Sequence, residues 1–231
     1  MHPDPGKGIF ETMLVVEEQP VELDAHTARL GASLQTLFGA AVPVGARDDL
    51  LAKVSGVPLG RVRLTVAPAS GGLAYAIAVA DVDRAAVFPG WESGVALRGV
   101  PAPDWAGGHK WADRSGLERL EASLGDAVPL LLGEGGAPLE TSRANVFAVR
   151  GGALTTPPLD GRVLPGIARA RTIEIAATLG IDVRERNLVL ADLPAADEVF
   201  LTGSVRGIEP VRSLNGAELE PRGDLTARLA T

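Results

Sequence analysis

Helix-like and strand-like segments follow one another along this chain without the regular alternation that builds a parallel α/β sheet. Two amphipathic helical patterns, at 23–39 and 46–56, precede two strand patterns that a Gly-Gly turn joins. Later, helical patterns at 113–125 and 164–180 are separated by several short strands, and further strands with an Asn-Gly hairpin signal at 215–216 follow them. This irregular order predicts a mixed α+β fold.

The stretch "PAPDWAGG" at 101–108 is the strongest linker candidate, because proline, glycine and aspartate interrupt both helices and strands. A chain of 231 residues is long enough for two domains. We therefore expect a small α+β domain at 1–100 and a larger, cofactor-binding α+β domain at 109–231.

Composition excludes several classes of protein. A net charge of -7 argues against a nucleic-acid partner, and the lack of cysteine excludes disulfides, thiolate metal sites and cysteine nucleophiles. The three histidines are scattered without metal-ligand spacing. The apolar run "LAYAIAVA" falls far short of the ~20 residues of a membrane helix, and the first residues do not resemble a signal peptide. We expect a cytoplasmic protein with no metal and no membrane or nucleic-acid partner.

Lys110 stands out because the chain contains 19 arginines and only three lysines. An ammonium group can lose its proton and attack a carbonyl carbon, whereas a guanidinium practically never does. Lys110 follows the linker in "GGHKWADR", while Lys7 lies near the terminus and Lys53 lies on an expected exposed helix face. The alternative for Lys110, as for any single lysine, is a surface cation.

Several motifs occur in a specific order: "GIFETM" from Gly8, "HTARL" in the first helix, "HKWADR", "LETSRANVFAV", "LTTPPLDGRVLPGIAR" and "EVFLTGSVRGIEPV". Together they resemble the fold-type IV pyridoxal phosphate enzymes, the class IV aminotransferase family. The resemblance covers nearly the whole chain and implies a two-domain fold similar to that of D-amino acid aminotransferase, pyridoxal 5'-phosphate as cofactor, and a homodimer. Relatives usually carry a strand or two before "FET", so we expect a shortened small N-terminal domain.

The resemblance implies the residues that handle the reactive part of the cofactor. Lys110 would form the internal Schiff base and then shuttle the substrate proton. Glu140 would keep the pyridine nitrogen protonated, which makes the ring an electron sink. Its alternative is an ordinary glutamate at a strand edge. Asn145 would hold the local structure near Glu140.

The remaining cofactor contacts that the resemblance implies involve the phosphate and one face of the ring. A guanidinium can clamp two phosphate oxygens, and the free N–H groups and dipole of a helix N-terminus favour an anion. Many relatives have threonine where this chain has alanine at 168, so one hydroxyl contact is lost there. The alternative for the arginine is a solvated helix position. The residues with these implied roles are Arg29, Leu164, Gly166, Ile167, Ala168 and Ser204.

Within the family, "HKWADR" and "LTGSVRGIEPV" most resemble 4-amino-4-deoxychorismate lyases, which release 4-aminobenzoate and pyruvate for folate precursor synthesis. Arg206 is a candidate for binding a substrate carboxylate, or else pairs with Glu209; Arg114 and Arg143 are further candidates of the same kind. One alternative is a class IV aminotransferase acting on branched-chain or D-amino acids with 2-oxoglutarate. Another is a catalytically degenerate binding protein on the same fold.

Overall fold

The chain divides into two compact units in a computed structural model that describes residues 2–220 and 223–230. The first unit takes the residues up to Val87 together with His109–Gly116. The second takes Phe88–Gly108 and the residues from Leu117 onward. Both units combine helices with mainly antiparallel strands, so the expected α+β class is confirmed.

The first unit is a four-stranded antiparallel sheet covered by two helices, in the strand order β2-β1-β3-β4. Strand β1 pairs with β3 along its whole length, and a tight turn joins β3 to β4. Alternate residues of β3 are buried, as the pattern "RVRLTV" predicts, and they pack with the apolar faces of both helices. The elements are β1 (Ile9–Val16), β2 (Gln19–Pro20), α1 (Leu23–Phe38), α2 (Ala46–Val54), β3 (Leu59–Ala69) and β4 (Gly72–Asp81).

Helix α1 begins at Leu23, as the helical pattern at 23–39 predicts, but its N-cap is not the residue that the sequence suggests. Glu22, with a φ of 56°, occupies the N-cap position and makes no side-chain capping bond. Asp24, which is a suitable N-cap residue by sequence, instead lies in the first turn and pairs with Arg47 at 2.7 Å. The helix ends at Phe38 and is capped by Gly39, whose φ of 62° is the left-handed conformation that glycine adopts readily.

The second unit contains a nine-stranded sheet in the order β10-β9-β8-β11-β12-β5-β6-β7, with β13 paired to β12. Because β7 also pairs with β8, six of these strands form a closed ring, β8-β11-β12-β5-β6-β7. The strands are β5 (Val95–Pro101), β6 (Val128–Leu132), β7 (Pro138–Thr141), β8 (Asn145–Arg150), β9 (Ala153–Thr156), β10 (Val183–Glu185), β11 (Glu198–Gly203), β12 (Gly207–Leu214) and β13 (Ala217–Glu218). The remaining helices are α3 (Ser115–Ser123), α4 (Ile167–Thr178) and α5 (Leu225–Leu229).

Strands β8 and β11 lie at the centre of this unit and are buried on both faces. On one face, Phe147 and Phe200 stack with their ring centroids 5.1 Å apart and pack with residues of α4 and α5. On the other face, Val146 and Leu201 belong to a second apolar cluster with residues of β5, β6 and β12. Burial on both faces explains why "NVFAVR" and "EVFLTG" are apolar without strict alternation.

The two units do not follow the expected boundaries at 1–100, 101–108 and 109–231. Strand β5, which the sequence places in the first domain, pairs in parallel with β12 and β6 of the second unit. Residues 109–116 join the first unit, where the N–H of Phe10 donates to the Lys110 carbonyl at 2.9 Å. Both differences arise from pairing between strands distant in sequence, which local patterns do not encode.

The longest described helix has 16 residues, and none of the helices within the described ranges combines the length and the apolarity required to cross a bilayer.

Candidate active site

The segment that carries Lys110 runs beside β1. The N–H of Phe10 donates to the Lys110 carbonyl, the N–H of Ala112 donates to the Gly8 carbonyl at 2.9 Å, and Ile9 and Trp111 form an antiparallel bridge. A Cβ atom on Gly8 would lie 1.9 Å from the Val66 carbonyl oxygen, so this close approach requires glycine. The β1 backbone therefore determines where the Lys110 main chain lies.

The half-buried side chain of Lys110 contacts an aromatic ring. Its Nζ lies 4.8 Å from the centroid of the Phe10 ring, and the Arg63 guanidinium carbon lies 4.2 Å from the same centroid. The negative face of an aromatic ring attracts cations at such distances. The Phe10 ring is thus a shared contact of the Lys110 amino group and the Arg63 guanidinium.

The neighbouring residue, His109, links the Lys110 segment to helix α1. The His109 Nδ1 lies 3.0 Å from the Ser33 hydroxyl oxygen, and its ring meets Trp111 edge-on at 6.1 Å. Partial burial lowers the pKa of His109 below its ordinary value of 6.5, which favours the neutral imidazole at pH 7. The position of Lys110 is therefore fixed both by the contacts of its neighbour His109 and by the backbone pairing with β1.

The other two lysines have surroundings unlike that of Lys110. Lys53 lies on the exposed face of α2, and the exposed Lys7 pairs with Asp113 at 3.1 Å. Asp113 also accepts hydrogen bonds from the N–H groups of Asp4, at 2.9 Å, and Ser115, at 3.2 Å. These bonds, with that of Asp4 the strongest, hold the pKa of Asp113 well below its usual range.

Arg29 is mostly buried and is bound to the carboxylate of Glu11, which no sequence motif identified as a site residue. Its Nε donates to Glu11 Oε1 at 2.8 Å, and its Nη2 donates to Glu11 Oε2 at 2.6 Å. The Nδ1 of His26 lies 2.6 Å from the same Oε2. The Arg29 side chain is 9% exposed, so the alternative of a solvated helix position is wrong.

Glu11 is 2% exposed and stays ionised because of these two partners. Burial alone would raise the pKa of Glu11, but the hydrogen bonds and charges of His26 and Arg29 hold it below the ordinary 4.5. The sequence contained a signal for it, since Glu11 is a charged residue within the apolar strand "IFETMLVV". A buried charge of this kind needs a partner, and His26 and Arg29 face it from one side of α1.

Glu140, at the end of β7, is buried and oriented by hydrogen bonds. Its Oε2 accepts from the side-chain amide of Asn145 at 3.2 Å and from the N–H of Leu164 at 3.0 Å. The same Asn145 amide donates to the Leu164 carbonyl at 3.0 Å. Glu140 is therefore not an exposed strand-edge residue, and Asn145 makes the local contact expected for it.

Helix α4 begins directly after these residues. Gly166 occupies the N-cap position without a side-chain capping bond, and the N–H groups of Ile167 and Ala168 precede the first intrahelical bond, from Ala170 to Gly166 at 3.0 Å. A Cβ atom on Gly166 would lie 1.9 Å from the Asn145 Oδ1, so glycine is required at this position. Asn145 thus connects Glu140 to the N-terminus of α4.

The turn between β11 and β12 holds Ser204, which is half-buried. Thr202 pairs with Asn145 across the two strands, so this turn lies beside the turn at 142–144. A Cβ atom on Gly203 would lie 3.8 Å from that of Ala144. The second unit thus brings the implied residues Glu140, Asn145 and Ser204 to one end of its closed ring.

The three arginines proposed for substrate binding separate into two groups. Arg143 and Arg206 both pair with the buried Glu209, at 2.9 Å and 2.7 Å, at the end of the ring that holds Ser204. Arg114 lies in the first unit, as do Lys110 and Arg29. The structure therefore brings two of the three together.

Residues 8–214 match the family model described as amino-transferase class IV. The chain belongs to this family. A probable branched-chain-amino-acid aminotransferase of Thermotoga maritima is 30% identical over 96% of this chain and 83% of its own length.

Two solved structures of class IV enzymes are similar to this fold. A 4-amino-4-deoxychorismate lyase from Pseudomonas aeruginosa has a TM-score of 0.82 and 28% identity, covering 97% of this chain and 88% of that one. A putative branched-chain amino acid aminotransferase from Thermotoga maritima has a TM-score of 0.81 and 28% identity, covering 96% of this chain and 82% of that one. The expected similarity to fold-type IV enzymes is confirmed.

Membership of the class IV family also confirms the predicted cofactor, pyridoxal phosphate, and identifies the protein as an enzyme. The described residues suit this cofactor. The buried Glu140 carboxylate matches a protonated ring nitrogen, and the α4 N-terminus, which has no side-chain cap, matches a phosphate. In addition, the buried Thr202 hydroxyl oxygen lacks a hydrogen-bond partner among the described residues.

Proposed function

We propose that this class IV enzyme is a 4-amino-4-deoxychorismate lyase, which forms 4-aminobenzoate and pyruvate. The observation that carries the proposal is the pair Arg143 and Arg206, held by one carboxylate in the turns next to Glu140 and Ser204. Cations at this place suit a substrate that bears carboxylates. The similarity to the Pseudomonas aeruginosa lyase, over 97% of this chain, supports the same assignment.

In this proposal Lys110 binds the cofactor covalently and then acts as the base. Pyridoxal phosphate supplies an electron sink that accepts the electron pair left when the substrate loses a proton. The Nζ of Lys110 would take a ring proton of the substrate, and the ring would become aromatic as the C–O bond to the enolpyruvyl group breaks. The departing enolpyruvate gains a proton and becomes pyruvate. Glu140, oriented by Asn145 and by the N–H of Leu164, holds a proton on the cofactor ring nitrogen.

The phosphate would be held by groups of four kinds. Arg29 contributes a guanidinium oriented by Glu11, Ser204 a hydroxyl group, Ile167 and Ala168 their N–H groups, and the α4 N-terminus its dipole. Gly166 keeps the backbone close to Asn145. Leu164 packs against the ring in this assignment, since its backbone is already bound to Glu140 and Asn145.

The experiment is a product assay with the purified, cofactor-loaded protein. Incubation with 4-amino-4-deoxychorismate should release 4-aminobenzoate, and Lys110→Ala should abolish this release while the protein stays folded. Borohydride reduction followed by peptide mapping should place the label on Lys110. The variants Lys7→Ala and Lys53→Ala are matched controls that keep activity. Release of 4-aminobenzoate by Lys110→Ala at the wild-type rate would refute the role of this lysine.

A second candidate function is an aminotransferase acting on branched-chain or D-amino acids with 2-oxoglutarate. The observation in its favour is the 30% identity to the probable branched-chain-amino-acid aminotransferase of Thermotoga maritima over 96% of this chain. Turnover of amino acids and 2-oxoglutarate without release of 4-aminobenzoate would select this candidate. A protein that fails to form the cofactor absorbance band would instead be a degenerate binding protein on this fold.

The family resemblance also supports a homodimer, and the cytoplasmic location expected from the sequence remains part of the proposal. Sedimentation of the purified protein should give about twice the 23.8 kDa mass of one chain. A monomeric mass at micromolar concentration would contradict the dimer.

A further inference from the structure

Phe88 has an unusual backbone conformation for an aromatic residue. Its φ is 50°, which lies in the left-handed region where a Cβ atom crowds the backbone. Five non-glycine residues have a positive φ among those that the structure describes, and the other four are glutamate or asparagine. Asparagine adopts this conformation more readily than a bulky residue does. The backbone at this position therefore does not favour phenylalanine, so the reason for it must lie in the contacts of its ring.

The Phe88 ring packs on a glycine at the start of β12. A Cβ atom on Gly207 would lie 2.5 Å from two carbon atoms of the ring, so the ring occupies the space that any side chain at 207 would need. The Phe88 N–H also donates to the Arg206 carbonyl at 2.8 Å. Phe88 is 48% exposed, so it buries only part of its own apolar surface. Phe88 thus contacts two consecutive residues, one through its main chain and one through its ring.

The residues that Phe88 contacts belong to the short turn that carries Ser204. Pairing between β11 and β12 ends at Gly203 and Gly207, so the turn contains only residues 204–206. The Gly203 end lies beside the turn between β7 and β8, and Phe88 covers the Gly207 end. A turn of three residues with neighbours at both ends has little freedom to move. The Phe88 contacts therefore restrict the position of the Ser204 hydroxyl group.

We propose that Phe88 is a positioning residue for the pyridoxal phosphate site, which fixes the β11–β12 turn so that the Ser204 hydroxyl group faces the cofactor phosphate. The inference rests on the proposed role of Ser204 in binding that phosphate. Gly207 has a φ of 66°, and a glycine can change its backbone angles at little cost. Without the ring the turn would sample several conformations, and only some of them would bind the phosphate, which lowers the affinity.

The test compares pyridoxal phosphate with pyridoxal, because the two aldehydes differ in the phosphate group. Each is titrated into the cofactor-free, full-length protein, and the absorbance of the Schiff base gives its dissociation constant. The ratio of the two constants reports the binding of the phosphate, whereas general damage to the site weakens both ligands alike. The ratio does not depend on which reaction the enzyme catalyses. Failure of the lyase assignment would appear only in the 4-aminobenzoate assay.

The main variant is Phe88→Asn, which removes the ring, suits the left-handed backbone and keeps the N–H that bonds to Arg206. It should lower the preference for the phosphorylated ligand about tenfold, and Ser204→Ala should do the same, since one hydrogen bond to a charged group has an effect of this size. The double variant should lose no more than Ser204→Ala alone, because Phe88 acts through that hydroxyl group.

Two further variants separate the ring from other effects of the substitution. Phe88→Tyr keeps an aromatic ring at this position and should keep the wild-type preference. Leu179→Ala is the matched control, because Leu179 is an apolar residue of similar exposure, 43%, at the other end of α4 from the phosphate. It should also keep the wild-type preference.

Three results would overturn the proposal. The first is a folded Phe88→Asn protein, checked by its melting temperature, in which the ratio of the two constants is that of the wild type. The second is a Ser204→Ala protein with an unchanged ratio, because Phe88 would then have no group through which to act. The third is a double variant in which the two losses multiply. If Phe88→Asn does not fold, Phe88→Leu replaces it, and the same outcomes decide.

Discussion

Replacing Glu11 by glutamine tests whether the buried charges of the first unit depend on one another. The substitution keeps the size of the side chain and removes its charge. It leaves Arg29, with a side chain 9% exposed, without its countercharge, and it leaves His26 without an anionic partner. Glu11 itself lies in β1, which pairs with β3 at eight positions, so the backbone has little freedom to relax.

The expected cost is that of breaking a buried ion pair by removing one partner. Such changes cost about 3–5 kcal/mol, because the remaining charge stays buried and uncompensated. An exposed ion pair would contribute only about 0–1 kcal/mol. For a chain of this size each kcal/mol lowers the melting temperature by roughly 2–4 °C, so Glu11→Gln should melt roughly 6–20 °C below the wild type.

The assay is urea denaturation of the cofactor-free proteins at pH 7, monitored by circular dichroism. The double variant Glu11→Gln/Arg29→Met is the control, because it removes both charges of the pair. It should lose less stability than the Glu11 variant alone, since it removes the Arg29 guanidinium together with the carboxylate that balances its charge. If the free energy of unfolding of the Glu11 variant lies within about 1 kcal/mol of the wild-type value, the reasoning is refuted, because an exposed ion pair contributes as much.

Three further predictions follow from the same contacts. The pKa of Glu11 is lower in the folded state than the ordinary 4.5, so the stability that its charge contributes should be constant above pH 5 and should shrink as the pH falls below 4.5. Denaturation of the wild type and Glu11→Gln across pH measures this contribution as the difference between their free energies of unfolding. A difference that grows with acidity would contradict the prediction. Gly166→Ala should cost about 1–3 kcal/mol, because the added methyl group would meet Asn145, and cofactor absorbance should reveal weaker binding than in an Ala170→Ser control. His109→Ala should cost about 1 kcal/mol by removing the bond to Ser33, and adding Ser33→Ala should change stability little further; additive losses would argue against a direct bond.

Local patterns in the sequence identified the elements whose geometry depends on near neighbours. The alternation from Arg61 to Val66 and the Gly71-Gly72 turn predict the β3–β4 hairpin that the structure contains. Asn215 and Gly216, with φ values of 52° and 86°, form the expected turn between β12 and β13. Each of these elements is specified by residues a few positions apart.

Such local patterns do not predict which strands pair when the strands are far apart in the chain. Strand β1 was not recognised, and the parallel pairing of β5 with β12 joins residues more than 100 positions apart in the chain. Closure of the ring through β7 and β8 depends on one register pair, Glu140 with Asn145. No local periodicity specifies which of several apolar segments will become neighbours.

The candidate site shows the same division between residues that the sequence identifies and contacts that depend on long-range packing. The family resemblance marked Lys110, Glu140 and Asn145, and the structure adds the contacts of each. Glu11 was missed because its importance depends on His26 and Arg29, which meet it only after α1 packs on the sheet. The sequence did not decide whether Arg206 pairs with Glu209 or with a substrate. The structure shows the bond to Glu209.

The path of the chain has a consequence for how this enzyme can be divided. The polypeptide passes from one unit to the other after Val87, after Gly108 and after Gly116. No single cut therefore yields either unit whole, and a gene fragment encoding residues 1–100 would produce a sheet without the short peptide that contributes Lys110. Recombination between related genes would have to exchange 109–116 together with the segment before Val87 to keep Lys110 in its own surroundings.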